Sequence, residues 1–338
     1  MNAAPDNGVG ERSGTEARPS VSARPVVLAL GAAAAAYVVA NVVESTLIRL
    51  LRPTRSELEW ISDIVLATGL GVVTFLWLHL KAARLHVTRL ERARVVLDTQ
   101  LAVAADIQRN LLPAVPPPRR GWRLAARLEP ADRIGGDFFD FHEDGSGSIL
   151  VFLADVSGKG IPAALILEST RTLFRFLARE TRRPDQLLAR LSRALYEENG
   201  GTPYVTCLLA YFDLEEKSLT CVNAGHPVGV VVGPGGRRLF AASGPPAGLF
   251  ASTVYTAETV ALRPGDAGVF VTDGISEAVE GDGALPNLLE AALRRQASGG
   301  PERVCEEVMR MARRGRGPEG AGEWRDDRTV IAFSLGKP

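Results

Sequence analysis

Two apolar stretches open the chain, a long polar helix pattern follows, and the remainder breaks into short runs separated by turn residues. Val26–Val43 is 18 residues without a formal charge, and Ile61–Leu80 is 20 residues with one acid, Asp63. A helix crosses a bilayer with about 20 apolar residues, so the pattern predicts a transmembrane hairpin over 26–80. Asn41 and Asp63 then need burial between helices or a place at the interface. Two buried helices of a soluble bundle would show the same pattern. Residues 1–25 are rich in Gly, Pro, Ser, Ala and charge, without apolar period, and read as a disordered tail. Arg24, the first apolar run and Val38-Val39-Ala40 also fit a cleaved signal segment with a long leader. Lys81, Arg84, Arg89, Arg92 and Arg94 follow the second run and place the C-terminal part in the cytoplasm. Arg49, Arg52 and Arg55 in the connection weaken that bias. The connection, Glu44–Trp60, is too short for a ligand-binding sensor domain.

Residues 81–112 contain neither Gly nor Pro and read as one linker helix. Leu90, Leu97, Ala104 and Leu111 recur every seven residues, with Ala93, Gln100 and Ile107 at the alternate seam position. This is a weak two-stranded coiled-coil pattern, and it equally fits a helix packed on its own downstream domain. Pro113 and Pro116-Pro117-Pro118 end the helix.

From Trp122 the period shortens. Strands are expected at Arg123–Leu128, Phe138–His142, Ser148–Leu153, Tyr204–Phe212, Ser218–Asn223, Val228–Val232, Arg237–Ala241, Val254–Leu262, Gly268–Thr272 and Arg328–Leu335. Helices are expected at Ile161–Arg179, Pro184–Asn199, Leu285–Arg295 and Pro301–Arg314, with a Gly-rich loop over Gly315–Glu323. Strands and helices fall in separate blocks. That argues for an α+β domain over 113–338: two stacked antiparallel sheets with helices outside.

Composition changes little. Lys plus Arg and Asp plus Glu are 39 each, so no net charge favours nucleic acid. The three cysteines, Cys207, Cys221 and Cys305, are far apart and suggest neither a zinc site nor a disulfide framework. Chemistry is concentrated in acids. Asp137, Asp155, Asp273 and Asp326 each stand at a strand end or in a short turn. Taken singly, an Asp beside Gly is an ordinary turn residue. Carboxylates converging from several strand ends need a counter-charge, and hard divalent cations such as Mg²⁺ or Mn²⁺ supply it.

Five ordered motifs, GGDFFDF (135–141), ADVSGKGIPAAL (154–165), NAGHP (223–227), TDGISEA (272–278) and DDRT (326–329), resemble the SpoIIE/RsbU-type protein serine/threonine phosphatases. These are bacterial members of the metal-dependent PPM superfamily. The likeness covers about Leu111–Leu335; the first hundred residues lie outside it. It implies an α/β/β/α sandwich with two divalent cations, Mn²⁺ or Mg²⁺, at one edge. Carried over by motif, Asp137 and Asp155 hold both ions, the backbone carbonyl of Val156 completes one shell, and Asp273 and Asp326 bind the other ion. Asp327 is the alternative to Asp326. Two cations would lower the pKa of a bridging water and stabilise an in-line displacement on phosphorus. Arg133 and Lys159 are candidate phosphate-binding residues, each also readable as a solvated loop charge. Asp140 is a candidate supporting acid, and His226, in a turn between strands, reads as structural. The helix leaving the Asp155 turn is the candidate regulatory element. The family resemblance implies a phosphorylated STAS-type anti-sigma-factor antagonist as substrate. A homodimer through the linker helix is the expected assembly.

Two further resemblances fail. GGDFF is similar to the signature turn of diguanylate cyclases, but Phe138 stands at its acidic position. Ser157-Gly158-Lys159-Gly160 lacks the hydroxyl residue that follows the lysine of a P-loop. The remaining rival is a non-catalytic membrane scaffold with a degenerate phosphatase fold.

Overall fold

The computed structural model describes residues 35, 38–39, 41–43, 45–47, 55–278, 284–296, 298–315 and 326–336. The expected tail, most of the first apolar run and most of the Gly-rich loop lie outside these residues. The chain divides into two compact units, Met1–Arg92 and Ala93–Pro338.

The first long element is helix α1, Arg55–Leu111. Among the described residues it is one helix long and apolar enough to cross a membrane, with a window of mean hydropathy 1.7. Its apolar side chains Val65, Leu66, Leu70, Val73 and Leu78 are exposed. Thr68 and Thr74 return their hydroxyls to the carbonyls of Ile64 and Leu70, each at 2.7 Å. Hydroxyls satisfied in this way suit an apolar surrounding. The spans were expected as a pair; one such helix is found, and the first run falls largely outside the described residues.

The second unit is a sandwich. Strands β1 (Trp122–Glu129), β6 (Gly229–Gly233), β7 (Gly236–Phe240), β9 (Ala267–Val271) and β10 (Arg328–Leu335) form one sheet in the order β1-β10-β9-β6-β7. Strands β2 (Asp137–Glu143), β3 (Ile149–Val156), β4 (Val205–Asp213), β5 (Ser218–Ala224) and β8 (Glu258–Ala261) form the other, in the order β2-β3-β4-β5-β8. Every strand pairing is antiparallel. Helices α2 (Ile161–Ala178) and α3 (Pro184–Asn199) cover the second sheet. Short α4 (Asp273–Ser276), then α5 (Ala284–Arg295) and α6 (Pro301–Gly315), cover the first. The α+β sandwich expected from the sequence is therefore the one observed.

Alternation along the strands sorts side chains into three cores. On β3, Leu150, Phe152, Ala154 and Val156 face α2 and α3, while Ile149, Val151 and Leu153 face the opposite sheet. Both faces of β3 are thus buried, which is why SILVFL reads as an unbroken apolar run. Phe152 stacks on Phe174 at 4.6 Å between ring centroids and meets Phe138 edge-on at 5.2 Å. Phe152→Ala is expected to lower stability by about 3–5 kcal/mol, measured by urea unfolding.

The three cysteines are free thiols, each buried in an apolar core. Burial raises all three pKa values, that of Cys305 to about 12. Strand β8 is shorter than expected. Val254 is exposed, and Tyr255 turns inward to donate to Pro245 O at 3.1 Å, which takes the segment off the sheet.

Candidate metal centre

The same parity that builds the cores places the acids. Asp137 and Asp155 are direct cross-strand partners at one end of the β2–β3 pair. Asp137 shares a face with Phe139, and Asp155 shares one with Val151 and Leu153, so both carboxylates lie on the face toward the other sheet. Thr206 pairs with Asp155 from β4. From the opposite sheet, Thr272 and Thr329 stand at the adjoining ends of β9 and β10, where Thr272 N donates to Thr329 O at 3.1 Å. Asp273 begins α4, and Asp326 lies two residues before β10. The edge where the sheets meet therefore carries acids from four segments.

Side-chain contacts separate these acids by role. Asp137 Oδ2 accepts hydroxyl hydrogens from Thr272 at 2.6 Å and Thr329 at 2.7 Å. Asp326 Oδ2 lies 3.2 Å from Lys159 Nζ. Asp273 Oδ1 is buried with no hydrogen-bond partner among the described residues. Asp327, its neighbour in sequence, is spent differently. Its Oδ1 accepts Ala131 N at 2.7 Å, and its Oδ2 accepts Gly136 N at 2.7 Å and Asp137 N at 3.3 Å. That carboxylate fastens the 131–137 segment to the start of β10.

Two glycines let the segments close. A Cβ on Gly136 would stand 3.0 Å from Val156 O and 3.4 Å from Asp155 Oδ1. A Cβ on Gly274 would stand 2.0 Å from Asp327 O. At Gly274 any side chain would collide, and at Gly136 a Cβ would be a tight contact to which its neighbours would have to give way.

The buried carboxylates raise one another's pKa values. Burial first, then the charge of Asp155, hold Asp137 well above the ordinary carboxylate value. Asp155 is pushed up to about 7, by burial first and then by Asp273, Asp326 and Asp327. Burial first, then Asp326 and Glu277, raise Asp273. Among the described residues, no group of three acidic, histidine or cysteine side chains converges on one point. The donor set fits hard divalent cations: carboxylate oxygens, the Val156 carbonyl beside Gly136, and an orphaned buried oxygen on Asp273.

The Asp155 shift carries a pH dependence. Its folded pKa of about 7 lies above the ordinary 3.8, so the folded chain holds a proton that the unfolded chain releases between those values. Without a cation, stability falls as pH rises through that interval and levels off above it. A cation displaces the proton, so its affinity rises over the same interval. Mn²⁺ titration calorimetry is expected to show weaker binding at pH 6 than at pH 8, with proton release that shrinks above pH 7.

The other expected residues fall elsewhere. Arg133 donates to Asp98 O at 2.6 Å, on the C-terminal part of α1, and its Nη2 is 3.6 Å from the Asp98 carboxylate. It ties the 131–136 segment to that helix. Asp140, an odd number of residues from Asp137, faces the helices. It is fully buried and accepts from Arg175 Nη2 at 2.9 Å and Arg171 Nε at 3.3 Å. His226 is buried against Thr206 Oγ1 at 3.0 Å, and burial pushes its pKa down to about 3, so it is a neutral support. Sequence reading missed Gln108, whose amide grips Gly135 twice: Nε2 donates to Gly135 O at 2.8 Å, and Oε1 accepts Gly135 N at 3.1 Å. Thr272 and Thr329 were visible only as letters within the two motifs that carry acids.

The family described as stage II sporulation protein E (SpoIIE) matches residues 145–336, more than half of the 338-residue chain. The chain belongs to the SpoIIE family. Asp137 and Gln108 lie before the SpoIIE match, whereas Asp155, Asp273 and Asp326 lie within it. Phosphoserine phosphatase RsbU of Bacillus subtilis (strain 168) is 27% identical over 212 residues, covering 62% of this chain and 63% of the relative. Protein IcfG of Synechocystis sp. (strain ATCC 27184 / PCC 6803 / Kazusa) is 24% identical over 207 residues, 53% of this chain and 33% of the relative. The chain thus spans less than two thirds of the length of either relative. The SiaA-PP2C domain of Pseudomonas aeruginosa superposes with a TM-score of 0.58 at 20% identity, covering 72% of this chain and 98% of that one. The RsbU and RsbW domains of Rv1364c from Mycobacterium tuberculosis give 0.56 at 24% identity, covering 67% and 64%. The PP2C phosphatase domain of SpoIIE from Bacillus subtilis gives 0.55 at 18%, covering 63% of each. These structures establish the chain's sandwich as the PP2C fold.

Proposed function

We propose that this chain is a metal-dependent phosphatase acting on phosphoserine or phosphothreonine of a partner protein. The observation that carries the reading is the meeting of Asp137, Asp155, Asp273 and Asp326 at one edge of a PP2C sandwich, with elevated pKa values on the first three. Asp137, Asp155, Asp273, Asp326 and the Val156 carbonyl would hold two cations, Mn²⁺ or Mg²⁺. Such cations, when bound, supply the positive charge that activates a water and stabilises phosphoryl oxygens. The chain's own part is to fix these oxygens on strand ends, where the two sheets leave them little freedom. Asp326 is the ligand of the adjacent pair, because the Asp327 carboxylate is taken up by backbone amides. Lys159, on the exposed turn after Asp155, can leave Asp326 for a substrate phosphate.

The substrate in this reading is a phosphorylated STAS-type antagonist of an anti-sigma factor, supported by the likeness to RsbU. The protein is anchored by its apolar N-terminal segments with the sandwich in the cytoplasm, supported by the apolar part of α1. A homodimer forms through the linker segment, where Leu97 and Ile107 of the heptad seam are exposed while Ala105 is buried. The test uses the full chain in detergent with a phosphoserine protein and with 4-nitrophenyl phosphate. Mn²⁺-dependent release of phosphate from both is expected. No release with any divalent cation would establish the non-catalytic scaffold instead.

A further inference from the structure

We propose that Thr272 and Thr329 are positioning residues that make Asp137 a one-oxygen ligand, reserving Oδ1 for the cation. The proposal rests on the metal-dependent reading above and goes beyond it by assigning the threonines of the TDG and DDRT motifs a shared task.

The two hydroxyls reach the same carboxylate oxygen, at 2.6 and 2.7 Å, from residues 135 and 192 positions away in sequence. Their proton directions are fixed. Thr272 Oγ1 already accepts Thr329 N at 2.9 Å, so its single hydrogen is free to point at Asp137. Thr329 Oγ1 likewise has Asp137 as its partner. Two donors occupy both lone pairs of Oδ2. Among the described residues Asp137 Oδ1 receives no hydrogen bond, and Asp137 N is held by Asp327 Oδ2 at 3.3 Å. The carboxylate is thereby pinned in rotation with one oxygen outward.

Parity makes the arrangement specific to the fold. Thr272 continues the inward face of Phe270, and Thr329 continues that of Ile331 and Phe333. Both threonines are completely buried, as expected for groups that serve another side chain and not solvent. The metal-facing acid of one sheet is oriented by the other sheet, so cation affinity reports how the sheets are registered. Support of this kind is commonly worth about 10–100-fold in metal affinity.

The experiment is Mn²⁺ titration calorimetry on the full chain in detergent, with thermal unfolding of each variant without metal. Thr329→Val and Thr272→Val keep the shape and remove the hydroxyl, and each is expected to weaken Mn²⁺ binding at least about tenfold. Thr329→Ser keeps the hydroxyl and is expected to bind within about threefold of the parent, even where loss of the methyl lowers the melting temperature. A packing role alone would make Ser and Val rank by stability instead. Parent-like affinity in a folded Thr329→Val protein overturns the proposal while leaving the metal reading intact. Should the valine variants fail to fold, a Thr329→Ser affinity loss of tenfold or more overturns it equally. If the parent itself takes up no Mn²⁺, the metal reading falls, and the proposal with it.

Discussion

Asp155→Asn is expected to remove Mn²⁺-dependent phosphate release by at least about a thousandfold while leaving the protein folded. The size follows from what the carboxylate would hold. A cation that polarises phosphoryl oxygens contributes several kcal/mol to the transition state, and about 4 kcal/mol corresponds to about a thousandfold in rate. Asp155 is central to this because it touches every other acid electrostatically: Asp137, Asp273, Asp326 and Asp327 all raise its pKa or have theirs raised by it. Stability should respond in the opposite sense. Neutral Asn relieves repulsion within a buried cluster, so the metal-free variant is expected to melt at or above the parent temperature. Mn²⁺ should stabilise the parent and not the variant. Steady-state assays with 4-nitrophenyl phosphate and differential scanning calorimetry make both measurements. Parent-like turnover in the variant would sink the assignment of Asp155 as a ligand.

The second large effect separates two adjacent aspartates. Asp327→Ala is expected to cost about 3 kcal/mol or more, because it strips the acceptor from Ala131 N, Gly136 N and Asp137 N. Bonds to a charged acceptor run at about 1.5–3 kcal/mol each, and three amides sharing one carboxylate fall short of a simple sum. For a unit of this size that is roughly a 6–12 °C drop in melting temperature. Asp326→Asn, by contrast, breaks an ion pair with an exposed lysine and should leave melting nearly unchanged while weakening Mn²⁺ binding. Measured together by thermal unfolding and calorimetry, the pair gives a crossed result: one variant loses stability, the other affinity. If Asp327→Ala kept full stability, the backbone clamp would be refuted.

Much of the fold was legible because alternation is a local property. The unbroken run of β3 announced a central strand, and the hairpin turns announced its neighbours. The acids were legible as strand-end punctuation. What escaped was whatever depended on distant partners. Asp326 and Asp327 are adjacent just before β10 but take different partners, Lys159 for one and backbone amides for the other, and the sequence holds no mark of that division. Arg133 was picked out as a candidate phosphate ligand from its place near Asp137 in sequence, and its bond to Asp98 O on α1 had no mark in the sequence. Asp140 looked like a companion of Asp137, but their odd spacing puts it on the helix side with Arg171 and Arg175. The threonines gave no signal of their own, since a hydroxyl amid a strand end is ordinary until its acceptor from the other sheet is in view.

The buried thiols have a practical consequence for following this protein at work. All three native cysteines lie in apolar cores with their pKa values raised, so at neutral pH they offer almost no thiolate to a maleimide or a nitroxide reagent. A single cysteine placed on an exposed position of α1 or on the Lys159 turn would carry the label alone, without a cysteine-free background having to be built first.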